Sequence, residues 1–169
     1  MKKTAMATMM CIGILFATSL NSLIAQNTKN MDTTNSENTI FPKGNKASEK
    51  YFSGDAFVYH FINKNDDENY NIASSSVTFE PGARTNWHSH PKGQLLLVTE
   101  GIGWYQEKGK PAQMIKKGDV VKVPANIIHW HGASSHSKLV HISITNYDGD
   151  INSTWLNPVT DSEYNAVNQ

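Results

Sequence analysis

The sequence predicts a single-domain, all-β protein, and three observations support this prediction. No helical periodicity of useful length occurs between Ile40 and Ile151. Short runs rich in β-branched and aromatic residues alternate instead with Gly, Pro, Asn and Asp, which form turns. The residues from Gln26 to Gln169 also have the length of one ordinary domain. These features together indicate a β-sandwich or a β-barrel.

The strands follow from the β-prone runs, taken in order between turn-forming residues such as Pro81-Gly82 and Lys117-Gly118-Asp119. They are predicted at Ala56–Ile62, Ile72–Glu80, Asn86–His90, Gln94–Thr99, Gly103–Glu107, Gln113–Ile115, Val120–Val123, Ile128–His131 and Leu139–Thr145. Towards the C-terminus, Asp161–Val167 is expected to form a helical turn or two.

The strand Gln94–Thr99 is apolar at consecutive positions, so it is predicted to be covered on both faces. In a small barrel a second subunit often covers the outer face of such a strand. We therefore expect a homodimer or a higher homo-oligomer.

The strand Leu139–Thr145 alternates instead. His141, Ser143 and Thr145 share one face, and aliphatic residues occupy the other. A polar face backed by an aliphatic one is expected where a strand lines a ligand cavity. An edge strand with a solvated polar face is the alternative.

The N-terminal segment resembles a bacterial export signal. Lys2 and Lys3 precede an apolar stretch from Ala5 to Leu20, and Ala25 suits a cleavage site. We expect a signal peptide at residues 1–25, a polar flexible linker at 26–40 and the folded domain at 41–169. The protein would then be periplasmic or extracellular, without stable membrane insertion after cleavage. An uncleaved N-terminal anchor is the alternative.

Composition excludes several kinds of partner and site. Without Lys2 and Lys3 the chain has 13 basic and 15 acidic residues, a net charge of −2, and no basic stripe. Nucleic acid is therefore not expected as a partner, and a small-molecule substrate is. The one cysteine, Cys11, lies in the predicted signal, so the mature chain has no disulfide, thiolate metal site or cysteine nucleophile.

Two short blocks concentrate the residues that bind metals. The first reads Gly82-x5-His88-x-His90-x3-Gln94-x6-Gly101, and the second reads Gly118-x5-Pro124-x-Asn126-x2-His129, followed by Trp-His-Gly. Alternation along a strand places His88 and His90 on one face, and His129 and His131 on one face.

Such a set of neutral imidazoles, with an amide oxygen beside them, suits a divalent transition metal. Five of the seven histidines, at positions 88, 90, 129, 131 and 141, fall on the predicted inward set. His60 and His136 fall outside it. Several convergent histidines predict a metal site inside the barrel.

These blocks resemble the two motifs of the cupin superfamily, whose fold is a double-stranded β-helix, a jelly-roll-like barrel. The resemblance covers Val77 to about Thr145. It departs from the family at Gln94, where a glutamate ligand is usual, and at Ala133, where an asparagine is common. An amide in place of a carboxylate leaves a bound metal with more net positive charge, which favours Lewis-acid action over tight binding.

A narrower resemblance extends from Ser75 to Tyr164. The stretches SVTFEPGARTNWHSHPKGQ, GDVVKVPANIIHWHGA and WLNPVTDSEY are similar to small bacterial cupins related to metal-dependent (R)-selective hydroxynitrile lyases, which are also labelled carboxymuconolactone-decarboxylase-like. This resemblance implies manganese(II), or alternatively iron(II), as cofactor. It implies four metal ligands: His88, His90, Gln94 and His129.

The same resemblance assigns the remaining site residues. It implies His131 and His141 as pocket histidines, with Ser75, Val77 and Thr145 on the pocket wall. Beside a bound metal we expect His141 to act as the general base and His131 to hold or protonate the leaving group. Orientation of the metal ligands is the alternative role for both histidines. Ser75 stands where the lyase has alanine and Thr145 where it has glutamine, so the substrate is left open.

Three function classes follow. The first is a metal-dependent lyase acting on a small hydroxy or carbonyl compound, with cyanohydrin cleavage as its sharpest version. The second is an iron-dependent oxygenase, which normally uses two histidines and a carboxylate. The third is a module that binds a metal or small molecule without catalysis. The two pocket histidines favour the first class over the third.

Overall fold

Antiparallel strands dominate the part of the chain that the computed structural model describes, residues 39–64, 66 and 70–167. They are β1 (Asn45–Lys46), β2 (Phe52–Ser53), β3 (Ala56–Ile62), β4 (Ile72–Phe79), β5 (Arg84–Thr85), β6 (His88–Ser89), β7 (Gln94–Glu107), β8 (Gln113–Lys116), β9 (Val120–Val123), β10 (His129–Ala133), β11 (Leu139–Asn146) and β12 (Thr154–Trp155). A helix, Asp161–Val167, follows them.

The predicted signal peptide at residues 1–25 lies outside the described residues. So does the predicted linker at 26–40, apart from its last two positions. A search of the described residues finds no helix with the length and apolar character needed to cross a membrane.

The all-β prediction is confirmed, and several predicted elements match closely. Strands β3 and β9 have the bounds that the sequence predicts, and so does the C-terminal helix. Four two-residue strands were not predicted, namely β1, β2, β5 and β12. Segments this short carry too few residues to show an alternating pattern.

Two predicted strand assignments are wrong. The segment Asn86–His90 does not form a strand throughout, because within it only His88–Ser89 is strand β6, and β5 ends before the predicted bounds begin. Gln94–Thr99 and Gly103–Glu107 are not two strands but one, β7. Gly101 lies between the two predicted strands, and the strand bends there and continues.

Strand β7 joins the two halves of a curled, barrel-like sheet. Its first part pairs with β11 and β9, and its second part pairs with β10 and β8. Between them lies Gly101, which has a φ of 77°. Strands β3 and β4 extend the first half beyond β11, and β5 and β6 extend the second half beyond β10. The halves enclose a cavity between them.

An apolar core fills the interior beside this cavity. Phe79, Leu96, Ile115 and Leu139 are fully buried there. Burying each such side chain stabilises the fold by about 2 kcal/mol relative to exposure. The core therefore fixes the strands that carry the polar residues described below.

The outer face of the first half-sheet is also apolar. Leu95 and Leu97 on β7 are half-buried, and they pair in register with the half-buried Ile144 and Ile142 on β11. This arrangement fits the expectation that the strand is apolar on both faces. The homo-oligomer inferred from that pattern stays a prediction.

The bend at Gly101 yields a test of the fold. A Cβ atom at this position would lie 1.8 Å from the carbonyl oxygen of Lys138, which accepts a hydrogen bond from the Ile102 amide. We expect Gly101→Ala to lower the free energy of unfolding by about 4 kcal/mol or more, because the clash is with backbone. Urea unfolding measures this change.

Gly109→Ala is the matched control. Gly109 has a similar φ of 81°, but a Cβ atom there would meet nothing within 4 Å. Its substitution should therefore cost only about 1–2 kcal/mol, the penalty of the left-handed conformation. Equal effects of the two substitutions would contradict the assignment of Gly101 to a close backbone crossing.

Candidate metal centre

Histidines from two antiparallel strands meet on the inner surface of the barrel. His88 on β6 pairs in register with His129 on β10, and His131 lies two residues further along β10. One ring nitrogen from each of these three side chains lies within 4.8 Å of the other two. This distance allows one ion to contact all three residues.

The four predicted ligands lie in one cluster. The ring centroids of His88 and His129 are 4.2 Å apart, and the ring of His90 lies 5.1 Å from His88 and 5.7 Å from His129. Gln94, at the start of β7, places Oε1 2.9 Å from His129 Nε2. The ring nitrogens that lie close enough for one ion are those of His88, His129 and His131, whereas His90 belongs to the same cluster of rings but not to that group.

Backbone carbonyls orient three of these rings in the same way. The Nδ1 atoms of His88 and His129 each lie 2.9 Å from a carbonyl oxygen, that of Asn86 and that of Ile127. His90 Nδ1 lies 2.5 Å from the carbonyl oxygen of Asn152. A proton on Nδ1 satisfies each bond and leaves Nε2 without one, the tautomer that a metal requires.

Burial keeps these imidazoles neutral. It is the main cause of a lowered pKa at His88, His90 and His131, and at His88 and His131 the pKa falls well below the usual 6.5. Burial also lowers the pKa of His129 to about 4. Neutral imidazole is the form that binds metals, so the cluster is ready to bind without losing protons.

Unpaired nitrogens indicate what the cluster lacks. Among the described residues, His90 Nε2 and His131 Nε2 are buried polar atoms without a hydrogen-bond partner. Leaving such an atom unpaired costs about 1–3 kcal/mol. A divalent metal would supply the missing partner of His90 Nε2, so the residues present fit such an ion.

A second histidine pair adjoins the cluster. His141 on β11 is fully buried, and its Nε2 lies 3.2 Å from His131 Nδ1. Burial lowers the pKa of His141 to about 4. One shared proton joins the two neutral rings, and His141 Nδ1 is left buried and unpaired within the described part of the structure.

The cluster opens into a cavity of about 480 Å³. The predicted pocket residues Ser75, Val77 and Thr145 lie on its wall, together with His131 and His141. His141, Ser143 and Thr145 all line it, so the polar face of β11 points into a cavity and is not a solvated edge. A volume of this size accommodates a small organic molecule.

Three residues that the sequence analysis did not include also form the site. His60 was placed outside the inward set, but it lies on the cavity wall, where its Nδ1 is 2.9 Å from Ser75 Oγ. Because side chains alternate along a strand, His60 shares one face of β3 with Ala56 and Val58, and this pattern could have placed it on the inward face. Asn152 contacts His90, and Trp155 stacks on His88 at 4.6 Å. Both lie in a segment without a periodic pattern.

Comparison with known proteins agrees with this geometry. The family model for the cupin domain matches residues 75–145. A curated relative named (R)-mandelonitrile lyase, from Granulicella tundricola, is 45% identical over 93 residues, which cover 55% of this chain and 71% of the relative.

Solved structures agree as well. A cupin-like protein from Thermotoga maritima superposes with a TM-score of 0.73 at 46% identity, and the match covers 76% of this chain and 96% of that one. A cupin conserved barrel domain protein from Rhodopseudomonas palustris gives a TM-score of 0.54 at 17% identity, over 70% of this chain and 75% of that one. The second likeness concerns the fold alone.

The buried histidines predict how stability depends on pH in the metal-free protein. The pKa values of His129 and His141 are about 4 in the folded chain and about 6.5 in the unfolded chain. Between these values the unfolded chain binds more protons, so stability falls as pH falls. Each of these two pKa differences is equivalent to about 3 kcal/mol of folding stability. We expect the Tm of chelator-treated protein to fall by roughly 10 °C or more from pH 7 to pH 4.

His136→Ala is the control for this measurement, because His136 is exposed and outside the cavity. It should leave the pH dependence of Tm unchanged, whereas His141→Leu should make it shallower. A Tm that does not change between pH 7 and pH 4 would contradict the neutral, buried state of the cluster.

Proposed function

Because this chain belongs to the cupin family, we propose that it is a metal-dependent lyase that acts on a small hydroxy compound, with cyanohydrin cleavage as its reaction. The observation that carries this proposal is the hydrogen-bonded pair of His131 and His141, both buried on the cavity wall beside the ligand cluster. A module that only binds its ligand has no need of two titratable side chains there. The relative named (R)-mandelonitrile lyase supports the same reaction.

We propose His88, His90, Gln94 and His129 as the metal ligands. The three histidines share the bond from Nδ1 to a backbone carbonyl that leaves Nε2 available, whereas His131 uses Nδ1 to contact His141. The resemblance to metal-dependent hydroxynitrile lyases favours manganese(II), and imidazole donors also suit iron(II), the alternative. When bound, such an ion acts as a Lewis acid that makes the hydroxyl proton of the substrate more acidic.

His141 is the proposed general base. If its Nε2 carries the proton shared with His131, its Nδ1 is an unprotonated acceptor. Because its pKa is about 4, His141 is neutral at pH 7 and free to accept a proton from the substrate hydroxyl. Loss of that proton lets the electron pair of the O–H bond form the carbonyl as the bond to the cyanide carbon breaks.

His131 is the proposed proton donor to the leaving group. In the same tautomer its Nε2 carries a proton, which it gives to the departing cyanide while its Nδ1 receives the proton that His141 holds. The products are an aldehyde and hydrogen cyanide, and the pair keeps its number of protons. Ser75, Val77 and Thr145 form the wall that positions the rest of the substrate.

The reaction is tested with racemic mandelonitrile and the manganese-loaded protein. We expect release of benzaldehyde, measured by its ultraviolet absorbance, with preference for one enantiomer. His141→Ala should lower kcat/KM by at least about 100-fold, the usual contribution of a positioned general base. Metal content of the variant should equal that of the wild type, since His141 is not among the proposed ligands.

His136→Ala is again the control and should retain full activity, because this side chain lies away from the cavity. Absence of aldehyde release from aromatic and aliphatic cyanohydrins would refute the lyase assignment. Oxygen consumption by the iron(II)-loaded protein, measured with an electrode, would favour the oxygenase class instead.

A further inference from the structure

A row of polar side chains leads from the ligand cluster to the mouth of the cavity. Gln94 Nε2 on β7 donates a hydrogen bond to Ser143 Oγ on β11 at 2.9 Å. Ser143 pairs in register with Ser75 on β4, and Ser75 pairs in register with His60 on β3. Ser75 Oγ and His60 Nδ1 are 2.9 Å apart. We call these four residues the polar row.

The polar row faces the cavity throughout. All four side chains line the cavity, and their exposure increases along the row from Gln94, which is buried, through the two half-buried serines to the exposed His60. One end of the row therefore contacts the proposed metal ligands, and the other end meets solvent.

The packing of this sheet does not require polar side chains here. On the outer face of β11 the neighbouring positions are Ile142 and Ile144, so apolar residues cover the outside of the strand while Ser143 faces the inside. The usual arrangement places apolar residues inside. Polar groups on the wall of a cavity commonly orient a ligand through hydrogen bonds.

We infer that Ser75 and His60 form a subsite for a second oxygen of the substrate, and that the substrate class is small hydroxy compounds whose side chain carries another hydroxyl or carbonyl group. This inference rests on the proposed function for the position of the reacting hydroxyl beside His141. Ser75 lies on the neighbouring strand opposite Ser143, two residues beyond His141, so it is roughly 7 Å away along the strand and about 5 Å across, or about 8 Å in all. The second oxygen lies about that far from the reacting one.

The chemistry of the pair suits this role. Ser75 Oγ can both donate and accept, and His60 offers Nε2 beyond the Nδ1 atom that contacts Ser75. A hydroxyl group placed between them can make one hydrogen bond to each residue. A methyl group of the same size makes neither bond, so the subsite discriminates between substrates of equal shape.

The experiment compares two unreactive amides, 4-hydroxymandelamide and the isosteric 4-methylmandelamide. Each carries an amide group in place of the nitrile group of mandelonitrile. Their para substituents lie roughly 7 Å from the α-hydroxyl oxygen, about the span of two residues along a strand. Isothermal titration calorimetry measures the binding of each amide to the manganese-loaded protein. We expect the wild type to bind the hydroxy compound about tenfold more tightly, as one or two added hydrogen bonds provide.

Substitution of His60 is the decisive step. His60→Ala should reduce the preference to less than about twofold by weakening only the hydroxy compound. His60→Gln, which keeps a side chain that can bond to Ser75, should restore part of it. Because His60 is exposed, neither change threatens the fold. His136→Ala, at an exposed position outside the cavity, should keep the full preference.

Three results would overturn the subsite: equal affinity of the wild type for both amides, a preference that survives His60→Ala, or no binding of either amide. Binding of these amides requires no turnover. A protein that fails to cleave mandelonitrile but binds 4-hydroxymandelamide selectively through His60 would refute the reaction and support the subsite.

Discussion

The constraint on which the site depends is the burial of five imidazoles in neutral form within one cavity. Withdrawal from water lowers the pKa of each of these rings, and hydrogen bonds hold each in a defined orientation. Three of the rings bond to backbone carbonyls, and the other two bond to each other. Uncharged rings with unpaired nitrogens form a site that a metal ion completes. The packing of the fold offsets the free-energy cost of burying these imidazoles.

The fold provides this arrangement through a strand that belongs to both halves of the sheet. Strand β7 begins with Gln94 in the cluster, bends at Gly101 and continues as the partner of β10, which carries His129 and His131. The C-terminal segment then returns across β6, where Trp155 stacks on His88 and the Asn152 carbonyl contacts His90. Residues far apart in sequence thus fix the same rings.

Strong local patterns allowed much of this to be predicted. Alternation identified most of the strands and the inward face of β11, and the two histidine blocks identified the residues that cluster. Strand β5 and the short extent of β6 were not visible, because two-residue strands depend on pairing with distant segments such as β2 and β12. His60 was missed because β3 has aromatic residues on both sides of it and so lacks a clear polar face. The contacts of Asn152 arise only from long-range packing.

We propose that His88, His90 and His129 hold one ion, and X-ray absorption spectroscopy of the manganese-loaded protein counts the imidazoles bound to it. We expect multiple-scattering features of three imidazoles in the wild type and two in His90→Ala. His131→Ala should retain three, since that ring is proposed to act on substrate. A spectrum without imidazole scattering, or one in which His131→Ala loses a ring while His90→Ala does not, would contradict the proposed ligand set.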